Sequence, residues 1–549
     1  MNIFNRFQEK NYLKWNTYTF VGIILIIICG IKVTYNLASF MDVLFWDESL
    51  YLTRGVTMFP SIPKDWGPAY SLWYKLLSLF IKDRIALYYF NFQLTTILIA
   101  IFFFVFLMSC GIQRVLAFLL SILFLASYIN LPLWPRVSHF CILVVLAGIV
   151  IAKYQTSKLS KWTIICFVLL IVSYARPELF LSFLFSFCLL IVGFFYKIKS
   201  INKKEIGLFG LLLFFLGFMY VFFKTPLNGG DANRSIGVFL QHFAMNYSQW
   251  HHDVSIFWLD FPVIVRTNFT DSFSLKAIIQ SNPTLFFKHI TSNIVHFIEQ
   301  ISKLVFNFFA PIFTKQIHWL CLMVSIILFI IYFSFTNTSS KKRLRFFALI
   351  KENFLTLTAL FLFSIPPFLV CIYAYPRAHY MLLLVPFLLL LLSLVISSMA
   401  VEIENPIQKM TVIAVVCFFT LPVAEDFDYF KMFRKENDLR NLKTLNYIKH
   451  NFKTQDSVRV FDLEGGMTNL LPPNFTNYNY IYLGSRKKTR LSSFLLEHKF
   501  DIIYHTPTIT KLNDVQTDTM LFELLNKPEK YGYNRQKTGN FTATLLIKK

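Results

Sequence analysis

Acidic residues are scarce in this chain. Its 549 residues hold 30 Asp and Glu against 53 Lys and Arg, a net charge of +23, and only 15% of positions are charged. Hydrophobic residues make up 56%, with 64 Phe among them, and the mean hydropathy is +0.54. A soluble protein cannot cover that much apolar surface, so the composition describes a polytopic membrane protein. Other absences narrow the reading. No stretch forms a basic arm with interleaved aromatics, which excludes a nucleic-acid partner and leaves the cationic excess to loops that fix orientation in a bilayer. The eight Cys, at 29, 110, 141, 166, 188, 321, 371 and 417, lie in apolar segments without metal-ligand spacing, and none lies in the polar C-terminal part. They read as small buried hydrophobes, not as a disulfide framework or a zinc site. The basic N-terminus, "MNIFNRFQEKNYLKWNTYTF", has no small-residue cleavage site before its apolar run, which points to a retained first span and not a removed signal peptide. "LEGG" lacks the spacing of a nucleotide-binding glycine loop.

What is present is a series of apolar runs, near 18–38, 85–109, 115–131, 137–152, 162–175, 178–196, 206–223, 317–335, 354–375, 379–400 and 407–423. They predict about eleven helices able to cross roughly 30 Å of hydrocarbon. With the N-terminus inside, the inner loops are "GIQR", "KYQTSKLSK", "YKIKSINKKE", "NTSSKKRLR" and "VEIENPIQK". Three of these are rich in Lys and Arg, as the positive-inside rule requires.

The outer side then holds a first loop at 39–84 and a long loop at 224–316. "ESLYLTRGVTMF" has the apolar spacing of an interfacial helix. After the turn "PSIPKDWGP", "AYSLWYKLLSLFIK" reads as a second amphipathic helix that offers Trp73, Leu76, Leu77 and Leu79 to lipid. In the long loop, "IGVFLQHFAMNYSQW" and "LFFKHITSNIVHFIEQISKLVFNFF" have helical patterns, and a loop of this size beside membrane spans suits a lid or cavity wall. Beyond 424 the composition changes. "SVRVFDLEGG", "YNYIYLGS" and "FDIIYHTP" are strand-like, "RLSSFLLEHK" is helical, and "FELLNKPEKYGY" and "NFTATLLIKK" suit a last helix and strand. The prediction is a transmembrane domain at 1–423 and a soluble extracytoplasmic α/β domain at 424–549.

Ionisable residues at the outer ends of apolar helices are costly unless they face a polar cavity. Those here are Asp47, Glu48 and Arg54 in "FWDESLYLTRG", Arg136 and His139, Arg176 and Glu178 in "YARPE", and Tyr375, Arg377, His379 and Tyr380 in "YPRAHY". Carboxylates and arginines on one side suit a site that deprotonates one group and holds an anion.

"WDESLYLTRG" followed by "DWGPAYSLWYKLLS" resembles the first outer loop of GT-C glycosyltransferases, of the protein mannosyltransferase and aminoarabinose-transferase type. "YARPELFLS" and "YPRAHYMLLLVPFLLLL" resemble that group too, over roughly 18–400. The resemblance implies a polyprenyl-phosphate-sugar donor, transfer on the outer face of what is typically a bacterial inner membrane, and inversion at the anomeric carbon. The acceptor would be a glycan, lipid or protein hydroxyl. On that reading Asp47 is the general base and Glu48 an orienting neighbour. Arg377, His379 and Arg176 hold the donor phosphate, and Arg54, Trp66, Tyr70, Arg136 and His139 line the substrate. Where the family often carries a further acid near the fourth span, this chain has "LPLWPRVSHF". No metal ligands are assigned, and a divalent cation is left open.

Each residue also has a plainer reading. Asp47 suits an N-cap, Arg377 a snorkelling side chain, and Arg176 with Glu178 a structural ion pair. "WHHDV" fits a loop surface better than a metal site, because adjacent His point apart on a helix. Two other functions compete: a glycan polymerase or ligase with a lipid-diphosphate donor, and a lipid-linked-saccharide transporter or flippase. Transporters tend to show internal repeats, and no repeat is visible here.

Overall fold

The computed structural model of the chain describes residues 17–45, 47–58, 67–131, 135–228, 234–252, 257–269, 274–309, 340–399, 405–420, 439–453, 455–463, 465–479, 491–506, 517–538 and 543–549. It is mostly helical. Among the described residues six helices are long and apolar enough to cross a membrane: Thr17–Ser39, Arg84–Ser109, Pro177–Tyr196, Lys203–Phe223, Phe354–Tyr373 and Ala378–Ser398. Arg114–Ala126, Val137–Lys153 and Pro406–Phe419 are apolar but shorter, and Lys158–Ser173 carries Lys158 and Lys161 in its first turn. These four fall short of the roughly 20 apolar residues that a perpendicular crossing takes. Of the roughly eleven spans expected, six are seen by length and composition among the described residues. The run at 317–335 and the candidate residue Trp66 lie outside the described residues.

The outward faces of two spans suit lipid: Val192 and Phe195 on one, Phe214 and Val221 on the other, are each about two-thirds exposed. Continuous apolar character around a helix is stable only where the surroundings are apolar. Polar capping marks the ends. Asn202 and Glu205 form a reciprocal capping box at the start of Lys203–Phe223, and Glu205 also accepts from Ser157, the N-cap of Lys158–Ser173. Of the cysteines, Cys29, Cys110, Cys141, Cys166 and Cys371 are buried as expected, whereas Cys188 is exposed. It sits on a helix whose neighbours in sequence also face outward.

The chain divides into two compact units. The first is Met1–Val33, Ile62–Tyr70 and Gln93–Pro422, and the second is Thr34–Ser61, Ser71–Phe92 and Val423–Lys549. The unit that holds the C-terminal part thus also takes in most of the loop at 39–84.

In the first unit, the long loop at 224–316 contains helices Arg234–Trp250, Phe257–Asn268, Leu275–Ser281 and Pro283–Phe309. They bury a core of their own around Phe239, Phe243, Phe269, Ile278 and Phe286.

In the second unit, five strands form one sheet: β1 (Val458–Asp462), β2 (Phe475–Asn479), β3 (Ile502–His505), β4 (Tyr533–Thr538) and β5 (Ala543–Lys548), in the order β2-β1-β3-β5-β4. The first three are parallel and the last two antiparallel to their neighbours. Phe461, Phe494, Phe500, Ile503, Leu521 and Leu546 fill the core beneath the sheet. The strand expected at "YNYIYLGS" is seen as β2, which starts earlier, at Phe475, and residues 480–490 lie outside the described residues. Sequence patterning missed β4, "YNRQKT", because an edge strand needs few apolar residues. The helices Glu48–Val56 and Pro68–Leu77 form as expected. Leu76 and Leu79 are exposed, but Leu77 is buried and the Trp73 indole donates to Asn91 Oδ1 at 2.8 Å. Only part of the face predicted to meet lipid is available to it.

Candidate functional site

Asp47, Glu48 and Arg54 lie in the second unit; Tyr70, Arg136, His139, Arg176, Arg377 and His379 lie in the first.

Asp47 occupies the N-cap position of helix Glu48–Val56, yet its side chain makes no capping hydrogen bond. Its backbone is at φ 52°, ψ −73°. A side-chain-bearing residue there is strained by about 1–3 kcal/mol, a cost that the surrounding structure has to offset. The capping reading of Asp47 therefore lacks its hydrogen bond. Glu48 is different. It has no exposure, and its carboxylate accepts from the Tyr74 hydroxyl and from Asn91 Nδ2 at 3.1 Å. Asn91 Nδ2 also reaches the Tyr74 oxygen at 2.9 Å. A buried carboxylate needs such donors, and here they hold it in a closed network with Tyr74, Asn91 and Trp73. Arg54 is half-buried near the end of the same helix.

In the first unit, Arg176 gathers several of the predicted residues. Its Nε pairs with Glu178 Oε1 at 2.5 Å, its NH1 donates to Ser138 Oγ, and its guanidinium lies 4.6 Å over the Tyr380 ring. Ser138 Oγ in turn donates to the His379 carbonyl at 2.8 Å. Arg176, Arg377 and His242 all lie within electrostatic reach of His379. Arg377 is half-buried and stands at the N-terminal boundary of the short helix Ala378–Met381, without a side-chain capping hydrogen bond. The expected Arg176–Glu178 ion pair is present, and Arg176 makes further contacts beyond it.

Arg136 and His139 are fully buried. Arg136 donates from Nε to Thr95 Oγ1 at 3.2 Å, from NH1 to the Asn130 carbonyl at 2.5 Å and from NH2 to Thr96 Oγ1 at 2.6 Å. His139 Nε2 lies 2.8 Å from Arg136 NH1 and 3.0 Å from the same carbonyl. These bonds tie Asn130, which follows helix Arg114–Ala126, to the start of helix Val137–Lys153. Tyr70 is fully buried, with its ring 5.3 Å from Phe140.

Sequence reasoning missed the residues behind Arg377. His289 Nδ1 lies 2.8 Å from Asn246 Nδ2, and its Nε2 lies 3.1 Å from the Tyr373 carbonyl. If Asn246 donates, Nε2 carries the proton and donates to that carbonyl. Asn293 Nδ2 donates to the carbonyls of Ile372 and Ala374. The last carbonyls of helix Phe354–Tyr373, orphaned at any helix end, are thus held by side chains from Pro283–Phe309. His242 stacks beside Tyr375 with 9° between ring planes. Burial pushes His289 down to about 4. Burial and the nearby Arg377 push His242 down to about 3. Both are neutral at pH 7, when Arg176 and Arg377 carry the positive charge. The signal available was the spacing of His242 and Asn246, and of His289 and Asn293, each four apart on one helix face.

Among the described residues no group of three or more His, Cys, Asp or Glu could hold a metal ion. His251 and His252 of "WHHDV" are exposed, and Asp253 lies outside the described residues. Fold and site together define a membrane-embedded helical protein with a small C-terminal sheet. No protein-family model, curated protein or solved structure matches the chain.

Proposed function

We propose that this chain is an integral-membrane glycosyltransferase of the GT-C kind. It moves a sugar from a polyprenyl-phosphate donor to a hydroxyl of a glycan, lipid or protein on the outer face of a bacterial inner membrane. On this reading about eleven helices cross the bilayer, with the N-terminus cytoplasmic and the C-terminal part outside. The supporting observation is the gathering of Arg176, Arg377 and His379 at the ends of apolar helices, with His242 of helix Arg234–Trp250 within electrostatic reach of Arg377 and His379. Two permanent cations with the neutral His242 imidazole beside them suit a phosphate better than a neutral sugar.

The chemistry has three parts. The acceptor oxygen attacks the anomeric carbon as its proton passes to the Asp47 carboxylate. The bond from that carbon to the phosphate oxygen breaks, with inversion. The charge that develops on the lipid phosphate is met by the guanidinium groups. The strained backbone of Asp47 supports a functional assignment for it over Glu48, whose carboxylate is already engaged by Tyr74 and Asn91.

Purified protein with polyprenyl-phosphate sugars tests the reading. Arg377→Gln is expected to weaken donor binding by about 10- to 100-fold, the cost of one hydrogen bond to a charged group. Asp47→Asn is expected to bind donor normally and transfer about 10²- to 10⁴-fold more slowly. Transfer at the parental rate by Asp47→Asn would sink the base assignment. The place of His242, from the long outer loop, beside Arg377 favours one second reading, a polymerase or ligase with a lipid-diphosphate donor. Tighter competition by polyprenyl diphosphate than by the monophosphate would select it.

A further inference from the structure

In a sheet with parallel strands in the order β2-β1-β3, the ordinary ligand position is the crevice at the carboxyl ends of β1 and β3, where the winding reverses. That edge of the second unit is occupied by the chain's own first outer loop. The turn after β1 carries Gly466 at φ +90°, and a Cβ there would stand 2.0 Å from the Phe45 carbonyl oxygen. The Phe45 ring meets Tyr504, near the end of β3, edge-on at 6.0 Å. Further along the same turn, the Asn469 carbonyl accepts from Thr53 Oγ1 at 2.7 Å and from Arg84 NH1 at 3.1 Å, and its side-chain amide donates to Ser49 Oγ at 3.2 Å. Ahead of Asp47, the Asp42 carboxylate accepts the Asn441 and Leu442 amides at the start of helix Arg440–Asn451, at 2.9 and 2.8 Å. The Asn441 side chain donates to the Val43 carbonyl at 2.8 Å.

We infer that the C-terminal sheet is a positioning platform for Asp47. The segment is gripped at 42–45 and again at 49–53, and the strained residue lies between the two grips. Asn469 and Gly466 are positioning residues: neither is asked to touch substrate, and each acts through the path of the chain at Asp47. Gly466 is required because the Phe45 carbonyl fills the space of a side chain and because positive φ disfavours any other residue. Strain at Asp47 persists only where its surroundings over-determine it, and the two grips supply that constraint.

Whether Asp47 is a base rests on the function proposed above; the platform does not. Hydrogen exchange on the full-length protein in nanodiscs separates the two. Gly466→Ala is expected to raise amide exchange across 41–58 by about tenfold or more, and Asn469→Ala by severalfold, while the β1 and β3 amides keep their parental protection. The inference is overturned if exchange across 41–58 is unchanged in Gly466→Ala. It is also overturned if that exchange rises only in step with β1 and β3, which would mean general unfolding. Where transfer is measurable, both variants should lose turnover and keep donor affinity. An intact exchange result with no transfer by the parent protein would count against the glycosyltransferase reading and leave the platform standing.

Discussion

Glu48 is a carboxylate without exposure whose neighbours, Tyr74 and Asn91, supply hydrogen-bond donors. Removing one donor leaves part of that buried group unsatisfied. Tyr74→Phe is expected to cost about 1–3 kcal/mol, read as a lower thermal midpoint, whereas Asp47→Asn should leave the midpoint near the parental value or raise it. His505, near the end of β3, responds to pH. Burial first, then Arg535, opposed by the Thr506 backbone, push it down to about 4 from an ordinary value of 6.5. The unfolded chain therefore binds its proton more readily than the folded one. Its contribution is fully present above pH 6.5 and is lost as pH falls through about 4, a loss of up to about 3 kcal/mol. Midpoints measured from pH 7 to pH 4 should fall more steeply in the parent than in His505→Asn, and parallel curves would refute this.

At the scale of elements, helix packing makes two glycines unequal. Gly55, on Glu48–Val56, approaches Pro68–Leu77 so closely that a Cβ would stand 2.4 Å from the Ser71 carbonyl oxygen. The backbone there cannot yield, so Gly55→Ala should destabilise by about 1–3 kcal/mol. Gly217, within Lys203–Phe223, has nothing within 4 Å of its would-be Cβ, so Gly217→Ala should be neutral or stabilising by up to about 1 kcal/mol. Thermal midpoints of the two variants side by side test the pair. The apolar helices were legible in the sequence because their signal is local and continuous. Leu77 was misassigned to lipid and Trp73 to a free face because the partner of the Trp73 indole, Asn91, lies 18 residues away, beyond the reach of any helical period.

For the whole molecule, the loop charges make a prediction about sidedness. In a background without native cysteines, Lys199→Cys is expected to react with an impermeant thiol reagent only from the cytoplasmic side, and Glu529→Cys only from the outer side. Labelling of both from one side would reverse the proposed orientation. The grouping of the chain into two units differs from a simple cut at 424, because the unit with the C-terminal sheet also holds Thr34–Ser61 and Ser71–Phe92. No composition shift could signal that, since the contacts of Asp42 with Asn441 and Leu442 span about 400 residues of sequence.

By itself the sequence determined that the chain is membrane-embedded and helical, because 56% hydrophobic content and long apolar runs leave no soluble alternative. It also singled out Asp47, Arg176, Arg377 and His379, because charge at the end of an apolar helix is costly wherever the chain then runs. Tertiary structure decided which partners each polar group meets. In sequence Arg136 and Glu48 look no different from Arg377 and Asp47, and only the fold brings Thr95, Thr96 and Asn130 to the donors of the first and Tyr74 and Asn91 to the carboxylate of the second. A hydrogen bond depends on distances of about 3 Å between residues that are often far apart in the chain, and local pattern carries no record of them.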